Sequence, residues 1–215
     1  MRRGIAAAAV IIVIALFVSV PLLDATPATH DKTNEESQVE APIVYDEPAP
    51  SIVPIFTQTD ERWGGLPYAD GSVSTSGCGL TCAAMAWSYL SGEAWTPTRL
   101  LNAVGNSCVE AGVNNMQKFA DWMCSQDPTL DRTVTYESTD RALGDLADGR
   151  LVFGAMTGRL TDGGREYGGH IVLLVGACDG LVTIHDPCQM YAVNLAEVEF
   201  EAVDWTYFVS IGRSQ

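Results

Sequence analysis

Residues 151–187 read LVFGAMTGRLTDGGREYGGHIVLLVGACDGLVTIHDP and carry the main evidence for the fold class. It contains three runs rich in β-branched and aliphatic residues, LVFGAMTG, IVLLVGAC and LVTIHDP, separated by glycine clusters and by Asp179-Gly180. Such runs between turn residues predict strands. A fourth run, WTYFVSIG at residues 205–212, extends the same pattern, so the second half of the chain is predicted to form an antiparallel sheet.

Helices are predicted upstream of these strands. GLTCAAMAWSYL, residues 79–90, is rich in alanine and ends near Gly92. Cys82, Met85 and Tyr89 fall on one face of this helix and are predicted to be buried. Further helices are predicted over residues 96–104, 114–124 and 139–146, with Thr96 and Thr139 as caps. Helices first and antiparallel strands afterwards predict an α+β fold.

A cysteine lies between two glycines where a loop meets the first helix, in SGCG at residues 76–79. Glycines let the backbone turn tightly and leave room for a substrate. The free N–H groups and partial positive charge at a helix N-terminus favour a thiolate, the nucleophilic form of cysteine. Cys78 is therefore a candidate nucleophile, and its N–H is a candidate oxyanion donor. The alternative is a buried structural cysteine at a helix cap.

The base for Cys78 has two candidates. The chain has three histidines, and His30 lies in a polar segment far upstream, which leaves His170 and His185. His170 follows a pair of glycines and opens the run IVLLVGAC, where a polar residue can face a cleft. His185 lies inside the next predicted strand, where a packed or surface role is more common. We therefore predict His170 as the base and keep His185 as the alternative.

Asp186 is the candidate that orients His170 by accepting a hydrogen bond from its other ring nitrogen. Side chains alternate faces along a strand, so the register decides whether the two residues share a face. A three-residue turn at residues 178–180 sets Asp186 opposite Val172, on the face of His170. A two-residue turn puts it on the wrong face unless a bulge intervenes. The triad thus predicts an odd-length turn or a bulge; the alternative for Asp186-Pro187 is a simple strand-ending turn.

The other cysteines carry no metal-binding spacing. No pair among Cys78, Cys82, Cys108, Cys124, Cys178 and Cys188 is spaced as CxxC, so we predict neither a metal site nor a cofactor. Cys178 lies near the hairpin turn and Cys188 near the far end of the strand pair, so these two are too far apart to bond. Pairing of Cys108 with Cys124 or Cys188 stays open.

The N-terminal part is predicted to direct export. Arg2 and Arg3 precede an apolar run over residues 5–23, which indicates a signal peptide or an uncleaved signal-anchor helix within residues 1–23. Residues 24–50 are acidic and contain prolines, so we predict a disordered linker. Residues 51–215 suit one domain, expected outside the cytoplasm and either secreted or anchored at the cell surface.

The chain carries a net charge of −15, which argues against nucleic acid and anionic membrane surfaces as partners. Contact with a membrane is expected only through the N-terminal segment. We expect a monomer that acts on a peptide or protein substrate.

Four motifs together resemble a known family. QTDERWG at residues 58–64, SGCGLT at 76–81, GHIV at 169–172 and HDP at 185–187 occur in the order found in bacterial cysteine peptidases related to the double-glycine leader peptidases of bacteriocin exporters. The resemblance is to the stand-alone, exported C39-like members and spans nearly the whole domain. Leu80 stands where the family usually has proline. The chain shows no phosphate-binding loop, so the transporter-fused form is not indicated.

This resemblance implies a papain-like fold, in which a helix carrying the cysteine packs on a sheet carrying histidine and aspartate. It also implies that Gln58 donates its side-chain amide to the oxyanion, held by a loop containing Asp60, Arg62 and Trp63. The predicted activity is thiol-dependent hydrolysis of peptide bonds. Three alternatives remain: hydrolysis of cell-wall peptides or amides on the same scaffold, a catalytically silent peptide-binding domain, and a structural role with Cys78 in a disulfide.

Overall fold

The computed structural model describes residues 52–214. The predicted leader at residues 1–23 and the predicted linker at residues 24–50 lie outside the described residues. Within residues 52–214, no helix combines the length and the apolar character that crossing a membrane requires.

The helices of this part of the chain are α1 (Val73–Ser76), α2 (Cys78–Ser91), α3 (Pro97–Val104), α4 (Met116–Gln126), α5 (Thr139–Ala147) and α6 (Glu197–Glu201). The strands are β1 (Pro67–Tyr68), β2 (Gly71–Ser72), β3 (Val109–Glu110), β4 (Val113–Asn114), β5 (Leu130–Arg132), β6 (Leu151–Arg159), β7 (Glu166–Cys178), β8 (Leu181–His185), β9 (Val193–Ala196) and β10 (Trp205–Arg213). β1 pairs with β2 and β3 with β4; the other six strands form one antiparallel sheet in the order β5-β10-β6-β7-β8-β9. The predicted α+β class is confirmed.

The predicted helices are all present, and the caps refine their starts. Thr96 caps α3 as predicted, because its hydroxyl accepts the Arg99 N–H at 3.3 Å. The prediction of Thr139 as a cap is wrong: Ser138 caps α5 and accepts the Arg141 N–H at 3.1 Å, so Thr139 is the first helical residue. Ser and Thr are both strong N-caps, and the sequence places them side by side.

The sheet is covered on both faces, which positions the helix that carries Cys78. Alternate residues of β6 pack in opposite directions: Leu151, Phe153 and Ala155 join the cluster around α2, whereas Val152 and Met156 join a second cluster that includes buried residues of α5. Alternation in a strand puts neighbours on opposite faces. A sheet buried on both sides explains why its central strands read as nearly continuous apolar runs.

The predicted buried face of α2 is confirmed for two of its three members. Cys82 donates its thiol proton to the Ile171 carbonyl at 3.4 Å, and Met85 Sδ accepts the Phe56 N–H at 3.2 Å. Both side chains are fully buried, but Tyr89 is 39% exposed, so the prediction is wrong there. Tyr89 borders an open surface groove beside the N-terminal segment of the domain, which the helix period alone does not reveal.

The β7–β8 hairpin contains the bulge that the triad requires. Its turn has two residues, because Cys178 pairs with Leu181, yet the register shifts between Leu174 and Gly176. After this shift Leu173 pairs with His185, and continuing the register sets Asp186 opposite Val172. One extra residue on β7 thus restores Asp186 to the face of His170.

Two strand boundaries differ from the prediction. His170 was expected to open its strand, but β7 begins at Glu166 and His170 pairs with Met156 inside it. Glycines carry a backbone N–H and C=O, so Gly168 and Gly169 do not end the strand. The predicted strand over residues 181–187 ends at His185, since the proline at position 187 cannot donate to a ladder.

Candidate active site

Cys78 is the first residue of α2 and is partly buried. The chain turns tightly before it: a Cβ at Gly77 would lie 2.4 Å from the Val73 carbonyl oxygen. Only glycine therefore fits at this turn between α1 and α2. At the first position of a helix the backbone N–H has no acceptor within that helix, so it can serve an external one. The fold thus presents the thiol and a backbone donor together.

Asn114 supports Cys78 from the side, a role that the sequence reasoning missed. Its Nδ2 donates to the Ser76 carbonyl at 2.8 Å and lies 3.7 Å from Cys78 Sγ, while its Oδ1 accepts the Tyr68 hydroxyl proton at 2.6 Å. The Ser76 carbonyl can only accept, so it fixes which end of the amide donates. Gly79 permits this approach, since a Cβ there would lie 2.4 Å from the Asn114 Cβ. A contact over 36 positions leaves no local signal in the sequence.

His170 and Asp186 form a buried pair. His170 Nε2 lies 2.7 Å from Asp186 Oδ1, and both side chains are 3% exposed. Asp186 Oδ1 also accepts the Cys188 N–H at 2.8 Å, so the carboxylate is held in place by the backbone that follows it. Cys78 is among the groups that raise the pKa of the His170 ring.

The charge state of His170 follows from these contacts. Burial by itself lowers the pKa of His170, but the hydrogen bonds to Asp186 and Cys78 and the attraction of their charges outweigh it and raise the pKa to about 9. At neutral pH the imidazolium is therefore favoured. An imidazolium beside a cysteine is the arrangement that stabilises a thiolate.

Tyr167 covers this pair. Its ring stacks on the His170 ring with centroids 4.0 Å apart and planes 4° apart, and its hydroxyl lies 3.4 Å from Asp186 Oδ2. Burial, with the nearby Asp186 and Cys188, raises the pKa of Tyr167, so the phenol stays protonated. Tyr167 thus shields the hydrogen bond between His170 and Asp186 from water. The sequence analysis did not identify it, although it lies three residues before His170.

Gln58 connects the two halves of the site. Its Nε2 donates to the Ser74 carbonyl at 2.7 Å, close before Cys78 in the chain, and its backbone N–H donates to the Pro187 carbonyl at 2.8 Å. The Cys188 thiol donates to Gln58 Oε1 at 3.7 Å. Gln58 is buried, and its amide nitrogen carries a second hydrogen besides the one given to Ser74.

The loop after Gln58 is built as the resemblance implies. Trp63 is buried and its Nε1 donates to the Thr57 carbonyl at 2.7 Å. Asp60 and Arg62 form a salt bridge at 2.8 Å, and the Arg62 guanidinium lies over the Trp63 ring. These contacts fix the backbone on both sides of Gln58.

His185, the alternative base, faces away from this chemistry. Its Nδ1 lies 3.2 Å from the Pro54 carbonyl, and burial lowers its pKa, so it is neutral and holds the N-terminal segment of the domain. The structure therefore pairs His170 with Asp186 and leaves His185 out of this pair.

The cysteines are all free. All six fall within residues 52–214, and none forms a disulfide, including the open pairings of Cys108 with Cys124 or Cys188. Cys188 is the one next to the site: its Sγ, a ring nitrogen of His170 and a carboxylate oxygen of Asp186 lie within 4.8 Å of one another.

The comparisons with known proteins agree with this architecture. A family model described as the Peptidase_C39 like family matches residues 51–212. A solved structure from Bacillus anthracis, described as a C39-like peptidase, has a TM-score of 0.50 and 18% identity, and the match covers 76% of this chain and 96% of that one. At this identity the likeness shows the fold alone, and no curated protein matches the chain. Because the family model covers most of the sequence, the chain belongs to the papain-like Peptidase_C39 like family.

Proposed function

We propose that this chain hydrolyses peptide bonds with Cys78 as nucleophile, His170 as its base and acid, and Asp186 as the residue that orients His170. The observation that carries this proposal is the position of the His170 ring. One ring nitrogen lies 2.7 Å from the Asp186 carboxylate, and Cys78 is among the groups that raise the pKa of the ring. A base oriented by a carboxylate beside a nucleophile is the arrangement used for acyl transfer.

The first half of the reaction forms an acyl-enzyme. The Cys78 thiolate attacks the substrate carbonyl, and the carbonyl oxygen becomes an oxyanion. The backbone N–H of Cys78 and the second Nε2 hydrogen of Gln58 donate to it. When the C–N bond breaks, the imidazolium of His170 gives its proton to the leaving amine, so the amine departs neutral and the acyl group stays on sulphur.

The second half releases the acid. Neutral His170 takes a proton from water, the hydroxide attacks the thioester, and the C–S bond breaks. The thiolate leaves beside the reformed imidazolium, which restores the starting ion pair. Asp186 accepts the Nε2 hydrogen bond throughout, so the other ring nitrogen always faces Cys78.

The substrate is proposed to be a peptide or protein outside the cytoplasm. This location is supported by the apolar run over residues 5–23 preceded by two arginines. The strongly acidic composition supports a protein that does not bind nucleic acid.

The test is covalent labelling of the purified chain with an epoxysuccinyl inhibitor of cysteine peptidases, followed by peptide mass spectrometry. We expect labelling at Cys78 that is lost in His170→Ala. Cys178 is the control thiol, because it is exposed on the hairpin and far along the strand from His170. A small neutral alkylating agent should modify Cys178 equally in both proteins.

Two results would remove the proposal. If Cys78 resists the epoxide under reducing conditions while the protein is folded, the chain is a silent peptide-binding member of the family. If labelling is unchanged in His170→Ala, His170 is not the base.

A further inference from the structure

We propose that His170, Asp186 and Cys188 form a binding site for Zn²⁺, and that its occupation switches off the Cys78 site. Their ligand atoms lie within 4.8 Å of one another, and both His170 and Asp186 are buried. Imidazole, carboxylate and thiolate are the three protein ligands that zinc takes. The spacing rules for cysteine predicted no metal site, because they do not detect ligands that converge from separate elements of the fold.

The three atoms need only small movements to coordinate zinc. With metal–ligand bonds of about 2.0–2.3 Å, tetrahedral geometry puts nitrogen and sulphur about 3.6 Å apart and nitrogen and oxygen about 3.4 Å apart. Since the present separations are at most 4.8 Å, the sulphur has to approach by about 1.2 Å at most. The His170–Asp186 contact, now 2.7 Å, has to open by a smaller amount.

Side-chain rotations can supply these movements. The backbone around the ligands is held by hydrogen bonds and keeps its position. The Cys188 N–H donates to Asp186 Oδ1 at 2.8 Å, and the Gln189 N–H donates to the Asp186 carbonyl at 2.8 Å, which closes a tight turn. Tyr167 lies 3.4 Å from the second carboxylate oxygen, as an outer partner of the ligand. Such partners orient metal ligands and strengthen binding.

Zinc binding conflicts directly with the proposed catalysis. The metal takes the lone pair of His170 Nε2, so the proton now shared with Asp186 is released, and the Cys188 thiol releases a second proton as it becomes a thiolate. His170 then stays neutral with its remaining proton on Nδ1. It can neither accept a proton from Cys78 nor act as the imidazolium that protonates an amine. Zinc binding is reversible, because both released protons return when the metal is removed.

The binding test uses Co²⁺ as a spectroscopic probe and the full chain carrying Cys78→Ser, so that the nucleophile cannot supply the sulphur. We expect one Co²⁺ per chain with a thiolate-to-cobalt charge-transfer absorption that Zn²⁺ abolishes by displacement. The band should vanish in Cys78→Ser/Cys188→Ser and persist in the matched control Cys78→Ser/Cys178→Ser. A band that survives loss of Cys188, or no band in Cys78→Ser, overturns the site.

A second measurement avoids any change at position 188. In Cys78→Ser, Zn²⁺ should slow alkylation of Cys188 at least about tenfold and leave that of the exposed Cys178 unaltered. Equal rates with and without Zn²⁺ contradict the proposal.

The inhibitory part rests on the proposed peptidase function, whereas the binding part does not. For each protein we compare peptide hydrolysis with and without Zn²⁺, using a non-chelating reductant. Cys188→Ser should need at least about tenfold more Zn²⁺ for half-inhibition than the native chain. Equal sensitivity means that zinc acts through Cys78 alone. If no protein hydrolyses peptides but the cobalt band behaves as expected, the peptidase proposal fails and the metal site stands.

Discussion

Replacing Gly79 by alanine separates helix propensity from the packing that supports Cys78. Alanine at a helical position gains about 0.5–1 kcal/mol over glycine. At position 79, however, the new Cβ meets the Asn114 Cβ at 2.4 Å, Cγ at 2.6 Å and Oδ1 at 2.9 Å. Overpacking of this kind costs about 1–3 kcal/mol. Moving Asn114 also breaks its bonds to Ser76 and Tyr68, at about 0.5–1.5 kcal/mol each.

The net expectation is that Gly79→Ala lowers the free energy of unfolding by about 3 kcal/mol, measured by urea denaturation. The matched control is Gly144→Ala in α5, where a Cβ meets nothing within 4 Å. It should raise stability by about 0.5–1 kcal/mol.

A second substitution at position 114 tests whether the contact between the two Cβ atoms causes the loss of stability. Asn114→Gly removes the colliding Cβ, so adding it to Gly79→Ala should recover the packing cost but not the hydrogen bonds. Asn114→Ala keeps that Cβ and should not rescue. A Gly79→Ala protein as stable as the native chain, or rescued equally by both second changes, would refute the argument.

Three further predictions concern the chemistry, and a fourth concerns stability. Gln58→Ala should lower kcat about 10²–10³-fold with KM nearly unchanged, because an oxyanion donor acts only in the transition state; a change confined to KM contradicts this role. Asp186→Asn should lower the pKa of His170, followed by NMR titration, and reduce kcat/KM about 10²–10⁴-fold; an unaltered titration argues against the pairing. In the native chain kcat/KM should fall as the pH rises through about 9, since neutral His170 cannot protonate the leaving amine; a fall centred near an ordinary histidine pKa would contradict it. The raised pKa also means that protonated His170 stabilises the fold, fully below about pH 6.5 and not above about pH 9, which urea midpoints across this range can follow.

Much of the site was predictable because its residues carry local signals. Cys78 lies between glycines at a helix start, and the structure explains both, since Gly77 makes a turn against Val73 and Gly79 admits Asn114. The position of Asp186 on the face of His170 was predictable only as a condition, namely an odd turn or a bulge. The structure satisfies this condition with a bulge between Leu174 and Gly176.

Other residues left no such signal. Asn114 was interpreted as the start of a helix, yet it ends the short strand β4 and supports Cys78 through contacts to Ser76 and Tyr68. Cys188 appeared only as one cysteine among six. Cys188 lies near His170 because the chain turns after Asp186. The Cys188 N–H donates to Asp186 Oδ1 and the Gln189 N–H donates to the Asp186 carbonyl, and these two bonds define the turn.

Local patterns were therefore enough to predict the α+β class, the four longest helices, four strands of the main sheet and the two chain segments that hold Cys78 and His170. These features depend on hydrophobic period, caps and glycine placement, which act over a few residues. The groups that surround the thiol and the imidazole, among them Tyr167, Asn114 and Cys188, became known from the folded structure. The reason is physical: such contacts depend on strand register and on side chains brought together from distant positions, and neither is encoded in any local pattern.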